Sequence, residues 1–333
     1  MEDSLRKYEG SRVLITGGLG FIGSHLAARL VELGAEVTIV DSLIPEYGGN
    51  PYNIREIAGD VEVNYSDIRD PWSIRHLIRG QDFLFNLAGQ VSHIDSMEDP
   101  ETDLDINCRS QLSLLEACRA NNPDVRVVFA ASRQQYGRPQ SLPVTEDHPQ
   151  VPVDVNGINL IAGESYHLLY NDVHGIRAAS LRLTNTYGPH LLMKHGRQGF
   201  ITVFMRRAIE GEPIQLFGDG SQLRDFTYVS DAVSAFLATG VADGVWGRAF
   251  NVGGLEPVSL AEVAELCQEL AAAGGEVEKV PWPPEREKID IGSIYVDHAR
   301  LTEATGWEPK VPLREGLGET IEFYKAHREH YWD

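Results

Sequence analysis

A glycine-rich turn near the start of the chain constrains its fold more than any other segment. The residues TGGLGFIGSH place Gly17, Gly20 and Gly23 three apart, between an apolar run at 12–16 and a segment of helical spacing from Leu26. Glycine allows a tight turn and lets the following helix pack closely on the sheet, while the first N–H groups of that helix can bind an anion. The segment therefore predicts a strand, a tight turn and a helix that together bind a phosphate group.

The order of strand, turn and helix recurs further along the chain. EVTIVD, QDFLFNLAG at 81–89 and VRVVFAAS at 125–132 are apolar runs of strand length, and 103–122 has helical spacing. Apolar strands that alternate with helices are typical of a parallel sheet covered on both faces. We therefore predict an α/β fold, in which a Rossmann-type doubly wound parallel sheet is joined to a smaller α/β substrate-binding domain.

Charge and composition exclude several classes of function. The 333 residues carry a net charge of -20, which disfavours nucleic acid and anionic membrane surfaces as partners. The N-terminus lacks the apolar core of a signal peptide, and no apolar run approaches the roughly 18 residues of a membrane span, so we expect a cytoplasmic protein. The three cysteines have no CxxC spacing, and we predict no metal site.

The end of the second strand predicts the cofactor. Asp41 follows the apolar run EVTIV, where a carboxylate can accept hydrogen bonds from an adenosine ribose. The same carboxylate would repel a 2'-phosphate, and no arginine follows it directly. The sequence therefore favours NAD over NADP.

Several motifs together resemble those of a known family. The matching segments include YSDIRD at 65–70, NLAG at 86–89, DINCRSQ at 105–111 and SRQQYG at 132–137. They resemble the extended short-chain dehydrogenase/reductase superfamily, and within it the NAD-dependent nucleotide-sugar epimerases and dehydratases that are similar to UDP-glucose 4-epimerase. The resemblance implies that the following residues bind NAD: Gly17, Gly20, Phe21, Ile22, Gly23, Asp41, Asp67, Ile68, Leu87, Ala88, Gly89, Asn107, Ala130 and Leu160.

The second half of the chain resembles the same family. RLTNTYGP implies that Asn185 contacts the diphosphate of a nucleotide sugar, and LRDFTYVSDAV implies that Arg224 binds a phosphate oxygen. GEPIQLFGDG implies that Gln215 and Phe217 line the base pocket, and Ser132 matches a residue that hydrogen-bonds the sugar at its reacting carbon. The predicted ranges are 1–182, 227–252 and 290–304 for the NAD-binding domain, and 183–226, 253–289 and 305–333 for the nucleotide-sugar-binding domain.

One segment departs from the family pattern. Where the family has Y-G-x-S-K, with tyrosine as acid/base and lysine supporting it, this chain has Asn156-Gly157-Ile158-Asn159-Leu160. Neither Asn156 nor Leu160 can transfer the proton, although Asn156 can still hydrogen-bond the sugar or the nicotinamide ribose.

Three explanations of the missing pair stay open. In the first, another group transfers the proton, and His93 is the leading candidate because imidazole titrates near neutrality. Tyr136 is a second candidate, while His190, Lys194 and His195 fit a solvated loop or a phosphate neighbourhood better. In the second, the reaction needs no strong base or uses a group of the substrate. In the third, the protein binds both ligands with little or no turnover.

The residues after Ser132 narrow the reaction. Dehydratases of this family carry an Asp-Glu pair there, whereas this chain has Arg133-Gln134, which disfavours dehydration. Arg133 could recognise a carboxylate or a phosphate, or lie at the surface. We expect an NAD-dependent epimerase that acts on a UDP- or GDP-linked sugar through a transient keto sugar; the alternatives are a dehydratase, a decarboxylase or an impaired binding homologue.

The resemblance also implies a homodimer. The helices at about 97–120 and 157–174 would form its interface, and residues on their outer faces would be buried there. These residues, which fit the core of a single chain equally well, are Leu112, Leu115, Tyr166 and Leu169.

Overall fold

A parallel sheet forms the centre of the protein and confirms the predicted α/β fold of the Rossmann type. The computed structural model describes residues 2–44, 46–194, 196, 199–283 and 290–332. Its seven-stranded sheet has the spatial order β7-β6-β5-β4-β1-β2-β3, with every neighbouring pair parallel. The strands are β1 Arg12–Thr16, β2 Glu36–Val40, β3 Val61–Asn64, β4 Phe83–Asn86, β5 Arg126–Ser132, β6 Ala178–Leu183 and β7 Ala249–Val252.

Helices cover both faces of this sheet. The helices are α1 Glu2–Leu5, α2 Phe21–Glu32, α3 Pro71–Leu77, α4 His93–Glu98, α5 Pro100–Leu104, α6 Ser110–Asn121, α7 Val155–His174, α8 Phe200–Glu210, α9 Val229–Val241, α10 Leu260–Ala271, α11 Ala299–Thr305 and α12 Leu313–His327. Along β1, Val13 and Ile15 belong to one apolar core and Leu14 to the other. Successive strand residues point to opposite faces, so a strand buried on both faces must be apolar throughout, as RVLIT nearly is.

The sheet changes direction of winding at β1. From β1 the chain proceeds through β2 and β3 on one side, and through β4 to β7 on the other. In open α/β sheets the crevice beyond the carboxyl ends of the strands at such a reversal is the usual ligand site. The glycine turn lies at this point, directly after β1.

A smaller set of elements follows the sheet. Asn185–Tyr187 pairs with Phe226–Tyr228, and Ile214–Phe217 pairs with Val277–Val280, both in parallel. Helices α8, α10 and α12 pack against one another beside them. These elements make up the smaller α/β part, and the assignment of residue ranges to two domains stays a prediction.

Helix α7, predicted at about 157–174, spans Val155–His174 and has a distinct residue at each end. The Asp154 side chain caps its first turn by accepting a hydrogen bond from the N–H of Gly157 at 2.7 Å. The helix ends at Gly175, which has a φ of 70°. The segment predicted as one helix at 103–122 is instead divided, because a π-helical turn at 105–109 separates α5 from α6.

The residues proposed for a dimer face differ in their burial. Leu115 is fully buried in the core of the single chain, and Leu112 and Tyr166 pack against that core. The assignment of Leu115 to an outer face is therefore wrong. Leu169 is 51% exposed. None of the helices in the described part of the chain is long and apolar enough to cross a membrane.

Candidate active site

A single large cleft collects the predicted site residues. It has a volume of about 1050 Å³, and its walls come from the carboxyl ends of β1, β2, β4 and β5 and from the smaller part of the fold. Every residue predicted to bind NAD lines it. Of the residues predicted for the sugar nucleotide and the reaction, all but Tyr136 and Asn156 also line it. The lining residues of this group are His93, Ser132, Arg133, Asn185, Gln215, Phe217 and Arg224.

The glycine turn forms a cradle that has no room for side chains. Gly17 has a φ of 70°, and a Cβ on it would lie 2.9 Å from the backbone nitrogen of Ala88. A Cβ on Gly23 would lie 2.2 Å from the carbonyl oxygen of Gly17. Because the backbone is closely packed and open at the start of α2, the turn fits a dinucleotide pyrophosphate.

Two carboxylates that are predicted to contact the adenosine of NAD, Asp41 and Asp67, line the cleft. Asp41 accepts hydrogen bonds from the N–H groups of Leu19 at 3.1 Å and Leu43 at 2.9 Å, while burial raises the pKa of its carboxyl group. Asp67 accepts hydrogen bonds from Arg69, which lower the pKa of Asp67. The Arg69 guanidinium is thus engaged by Asp67, and the geometry at Asp41 suits a ribose that carries two hydroxyls.

His93 lies in the cleft between two polar side chains. Its Nδ1 is hydrogen-bonded to the Asp154 carboxylate, and its Nε2 lies 2.8 Å from the side-chain nitrogen of Gln134. Burial raises the pKa of Asp154, but the hydrogen bond from His93 and its charge outweigh burial, so the pKa of Asp154 is lowered. Because a carboxylate can only accept, Nδ1 carries a proton, and in the singly protonated ring Nε2 is then the proton acceptor.

Asn156 does not line the cleft, so its placement does not support the catalytic role, which stays a prediction. Its side chain is fully buried and donates to the carbonyl oxygen of Gln90 at 2.7 Å and to the Asp103 carboxylate at 2.9 Å. Asn107 and Asn159 donate to the same carboxylate at 3.1 Å and 2.7 Å. Three amides thereby stabilise the buried charge of Asp103, because a buried carboxylate needs hydrogen bonds to replace water.

Leu160, at the position of the family lysine, gives the cleft an apolar wall. It is 7% exposed and packs with Phe129 and Ala131. It therefore lies where the resemblance predicts a cofactor contact, but it can contribute only packing.

Tyr136 does not line the cleft either, so its placement does not support the catalytic role, which stays a prediction. It is fully buried, donates to the side-chain oxygen of Asn251 at 2.6 Å, and accepts a hydrogen bond from Arg182 at 2.8 Å. Burial raises the pKa of Tyr136 to about 12. Its hydroxyl is thus part of the packing beneath the cleft.

Two arginines, Arg133 and Arg224, line the same cleft. Arg133 donates to the side-chain oxygen of Asn185 at 3.2 Å, and Arg224 donates to the carbonyl oxygens of Leu223 at 2.8 Å and Gly292 at 2.5 Å. Burial, and next the charge of Arg133, lower the pKa of Arg224 to about 10. The arrangement favours an anionic ligand, because each guanidinium lowers the cost of binding negative charge.

The part of the cleft wall at the short strand Ile214–Phe217 is aromatic. Gln215 and Phe217 line it on their short strand, and the ring of Trp282 lies 5.6 Å from that of Phe217. Trp282, Tyr47 and Arg207 also line the cleft, and the sequence reasoning missed all three. No motif surrounds these three residues in the sequence. Trp282 alone had a signal, because an aromatic residue within the Pro-rich VPWPP indicates a packed loop.

His190, directly after TYGP, does not line the cleft. His190 stacks on His25 with ring centroids 4.3 Å apart, its Nδ1 lies 2.9 Å from the hydroxyl of Ser24, and burial lowers its pKa to about 3. Lys194 is not part of the cleft wall. His195 lies outside the described residues.

Comparison with known proteins identifies the family of this chain. The family model for the NAD dependent epimerase/dehydratase family matches residues 13–253. The chain belongs to this family. The predicted superfamily, cofactor and enzyme class are thereby confirmed: it is an NAD-dependent enzyme family, and the glycine cradle and Asp41 fit that cofactor.

The similarity to individual relatives covers nearly the full length of this chain. A putative UDP-glucose 4-epimerase from Methanocaldococcus jannaschii is 34% identical over 316 residues, which cover 94% of this chain and 98% of that one. UDP-glucuronic acid decarboxylase 1 from Xenopus tropicalis is 31% identical over 98% of this chain and 75% of its own. The crystal structure of UDP-glucose 4-epimerase from Thermus thermophilus in complex with NAD has a TM-score of 0.83 and 31% identity, and covers 94% of this chain and 99% of that chain.

Proposed function

We propose that this protein is an NAD-dependent epimerase that acts on a nucleotide sugar. The observation that carries the proposal is the continuity of one cleft, which joins the glycine cradle and Asp41 to Ser132, His93 and Arg224. A cofactor bound at one end and a sugar nucleotide bound at the other would meet beside Ser132 and His93.

The cofactor half supplies binding and orientation. When bound, NAD supplies the reversible hydride acceptor that passage through a keto sugar requires. Gly17 and Gly23 would hold its pyrophosphate, and Asp41 its adenosine ribose. Leu160 would exclude water from the inner wall, where the family keeps a lysine.

We assign the proton transfer to His93. Oxidation of a sugar carbon needs a base for the hydroxyl proton, and Nε2 of His93 is an acceptor because Nδ1 donates to Asp154. A sugar hydroxyl would replace the Gln134 amide that now lies 2.8 Å from Nε2. Ser132 would hydrogen-bond the same hydroxyl, and Asp154 would stabilise the imidazolium that forms.

We propose uridine diphosphate as the nucleotide carrier. The relatives from Methanocaldococcus jannaschii and Xenopus tropicalis are both named for UDP-linked substrates. In this chain Gln215, Phe217 and Trp282 form the end of the cleft that would accept the base, and Arg224 would bind the diphosphate.

Decarboxylation is the second candidate. The decarboxylase relative supports it, and Arg133 offers a positive charge beside Ser132. Dehydration has less support because Arg133 and Gln134 stand where a dehydratase needs an acid and a base.

Product analysis distinguishes the two candidates. The purified protein is expected to release NAD(H) on denaturation and to convert UDP-glucose or a UDP-hexuronate to its epimer, without net redox change and without change of mass. A product lighter by carbon dioxide would replace the epimerase proposal with a decarboxylase. Absence of bound or bindable NAD would refute both.

We further propose a cytoplasmic homodimer. The supporting feature is a set of exposed apolar side chains near α7, where a second copy would bury them. They are Leu104, Ile158, Leu169 and Val173. Analytical ultracentrifugation of the protein, with Leu169→Asp and Val173→Asp variants, tests this assembly.

A further inference from the structure

Arg133 has hydrogen-bonding capacity that the protein does not use. Its Nη2 donates to Asn185, but its Nη1 is buried and has no hydrogen-bond partner among the described residues. Within the described ranges no carboxylate forms an ion pair with it, although the charges of Asp225 and Asp154 partly offset the burial that lowers its pKa. A buried N–H without a partner is costly, so this guanidinium is suited to an external acceptor.

Arg224 repeats this pattern in the same cleft. It is 6% exposed, and its Nε is likewise buried without a partner in the described part of the chain. The charge of Arg133 acts unfavourably on that of Arg224, so the two guanidiniums lie within electrostatic reach of one another. Burial of two neighbouring cations is most favourable when a bound ligand carries more than one negative charge, even in a chain with a net charge of -20.

Their positions assign the two cations to different parts of a ligand. Arg224 donates to Leu223 and Gly292 in the smaller part of the fold, on the nucleotide side. Arg133 lies directly between Ser132, at the end of β5, and Gln134, whose amide contacts His93. Arg133 is therefore fixed at the end of the cleft where the sugar would react.

We infer that Arg133 is a specificity-determining residue that selects nucleotide sugars carrying a carboxylate on the sugar ring. The planar guanidinium can give a carboxylate two parallel charge-assisted hydrogen bonds, which a neutral hydroxymethyl group cannot accept as strongly. The inference deepens the proposed function and rests on it, since it names the substrate class of the same site: a UDP-linked uronic acid.

Binding measurements on the NAD-loaded enzyme test this inference. Isothermal titration calorimetry with UDP, UDP-glucose and UDP-glucuronate is expected to show that the wild type binds UDP-glucuronate at least about tenfold more tightly than UDP-glucose. In Arg133→Met this preference is expected to disappear, while the affinity for UDP changes less than about threefold. Arg248→Met removes the same charge from an exposed position outside the cleft and is expected to keep the preference.

The results separate this inference from the proposed function. Equal affinity of the wild type for the two sugars overturns the inference, as does an Arg133→Met variant that loses affinity for UDP as strongly as for UDP-glucuronate, because Arg133 would then bind the diphosphate. Retention of NAD by Arg133→Met verifies that the variant is folded. Tight binding of UDP-glucuronate without formation of an epimer would support the inference and refute the epimerase.

Discussion

Asp154 connects the start of helix α7 to His93 through the two oxygens of one carboxylate. One oxygen accepts the N–H of Gly157 at 2.7 Å and caps the helix, and the other accepts Nδ1 of His93. Because the cap fixes the carboxylate, it also fixes the orientation and tautomer of the imidazole. The sequence resemblance matches the family's acid/base to this same helix, whereas the proposed base His93 belongs to α4 and is bound by Asp154 at the start of α7.

The first prediction concerns His93. We expect His93→Gln to lower kcat by about 10²–10⁴-fold, because glutamine can hydrogen-bond a hydroxyl but cannot take its proton. The measurement is steady-state turnover of the substrate identified by product analysis. NAD content should stay that of the wild type, and His174→Gln, at an exposed position of α7, should leave kcat unchanged. Full activity of His93→Gln would exclude it as the base.

The second prediction concerns Asp154 as a positioning residue. Asp154→Asn keeps an acceptor for the Gly157 N–H but removes the charge that stabilises imidazolium, so we expect kcat to fall with little change in KM. The pH profile of kcat should shift as well. A variant that only loses thermal stability, with an unchanged pH profile, would show that Asp154 acts as a helix cap alone.

The third prediction is that restoring the family pair does not restore its chemistry. Tyrosine at position 156 must enter a site that is fully buried, and it removes a donor from both Asp103 and Gln90. Overpacking and a lost buried hydrogen bond each cost about 1–3 kcal/mol. We therefore expect Asn156→Tyr with Leu160→Lys to lower the free energy of unfolding in urea by several kcal/mol and to give no gain in kcat.

A matched control for this double variant lies on the same helix. His174 is exposed near the end of α7, and His174→Lys should leave stability within about 0.5 kcal/mol of the wild type. A stable Asn156→Tyr, Leu160→Lys variant with increased turnover would contradict the third prediction.

The cofactor half of the site could be predicted from the sequence because backbone geometry decides it. A glycine turn between a strand and a helix needs glycine at fixed positions, and Asp41 must follow the second strand to reach a ribose. Such requirements are local in sequence. The structure accordingly places each residue predicted to bind NAD on the wall of one cleft.

The catalytic half could not be predicted in the same way, because long-range contacts decide it. The sequence resemblance matches Asn156 to a catalytic tyrosine, yet Asn156 hydrogen-bonds Asp103, 53 residues earlier, and does not line the cleft. His93 and Asp154 are 61 residues apart, and no spacing indicates that they meet. Tyr136 satisfied the motif, but its partner Asn251 lies 115 residues further on and holds it in the core.

The fourth prediction concerns the glycine cradle. A Cβ at position 23 would lie 2.2 Å from the Gly17 oxygen and 2.8 Å from the Gly18 Cα, so Gly23→Ala must displace the turn that would hold the pyrophosphate. We expect NAD affinity to fall by at least about tenfold in equilibrium binding of the apoprotein. Gly59→Ala meets nothing within 4 Å and should bind NAD as the wild type does. Equal loss in both variants would contradict the assignment of the cradle.

The fifth prediction concerns stability in acid and depends on His167. This residue is fully buried, stacks on Phe129 with ring centroids 4.3 Å apart, and hydrogen-bonds the carbonyl oxygen of Gly163 through Nδ1 at 2.8 Å. Burial lowers its pKa to about 4, against which the Gly163 carbonyl and Glu164 act only partly.

The direction in which stability changes with pH follows from proton uptake by His167. Between about pH 6.5 and pH 4 the unfolded chain binds a proton at His167 and the native protein does not, so native stability is fully present above pH 6.5 and falls as the pH is lowered. The loss attributable to this residue is on the order of 3 kcal/mol over that range. Urea unfolding of the wild type and His167→Gln should give curves that converge as the pH falls, because glutamine does not titrate. His174→Gln, exposed on the same helix, should follow the wild type at each pH, and parallel profiles for wild type and His167→Gln would show that His167 is not the group that couples folding to acid.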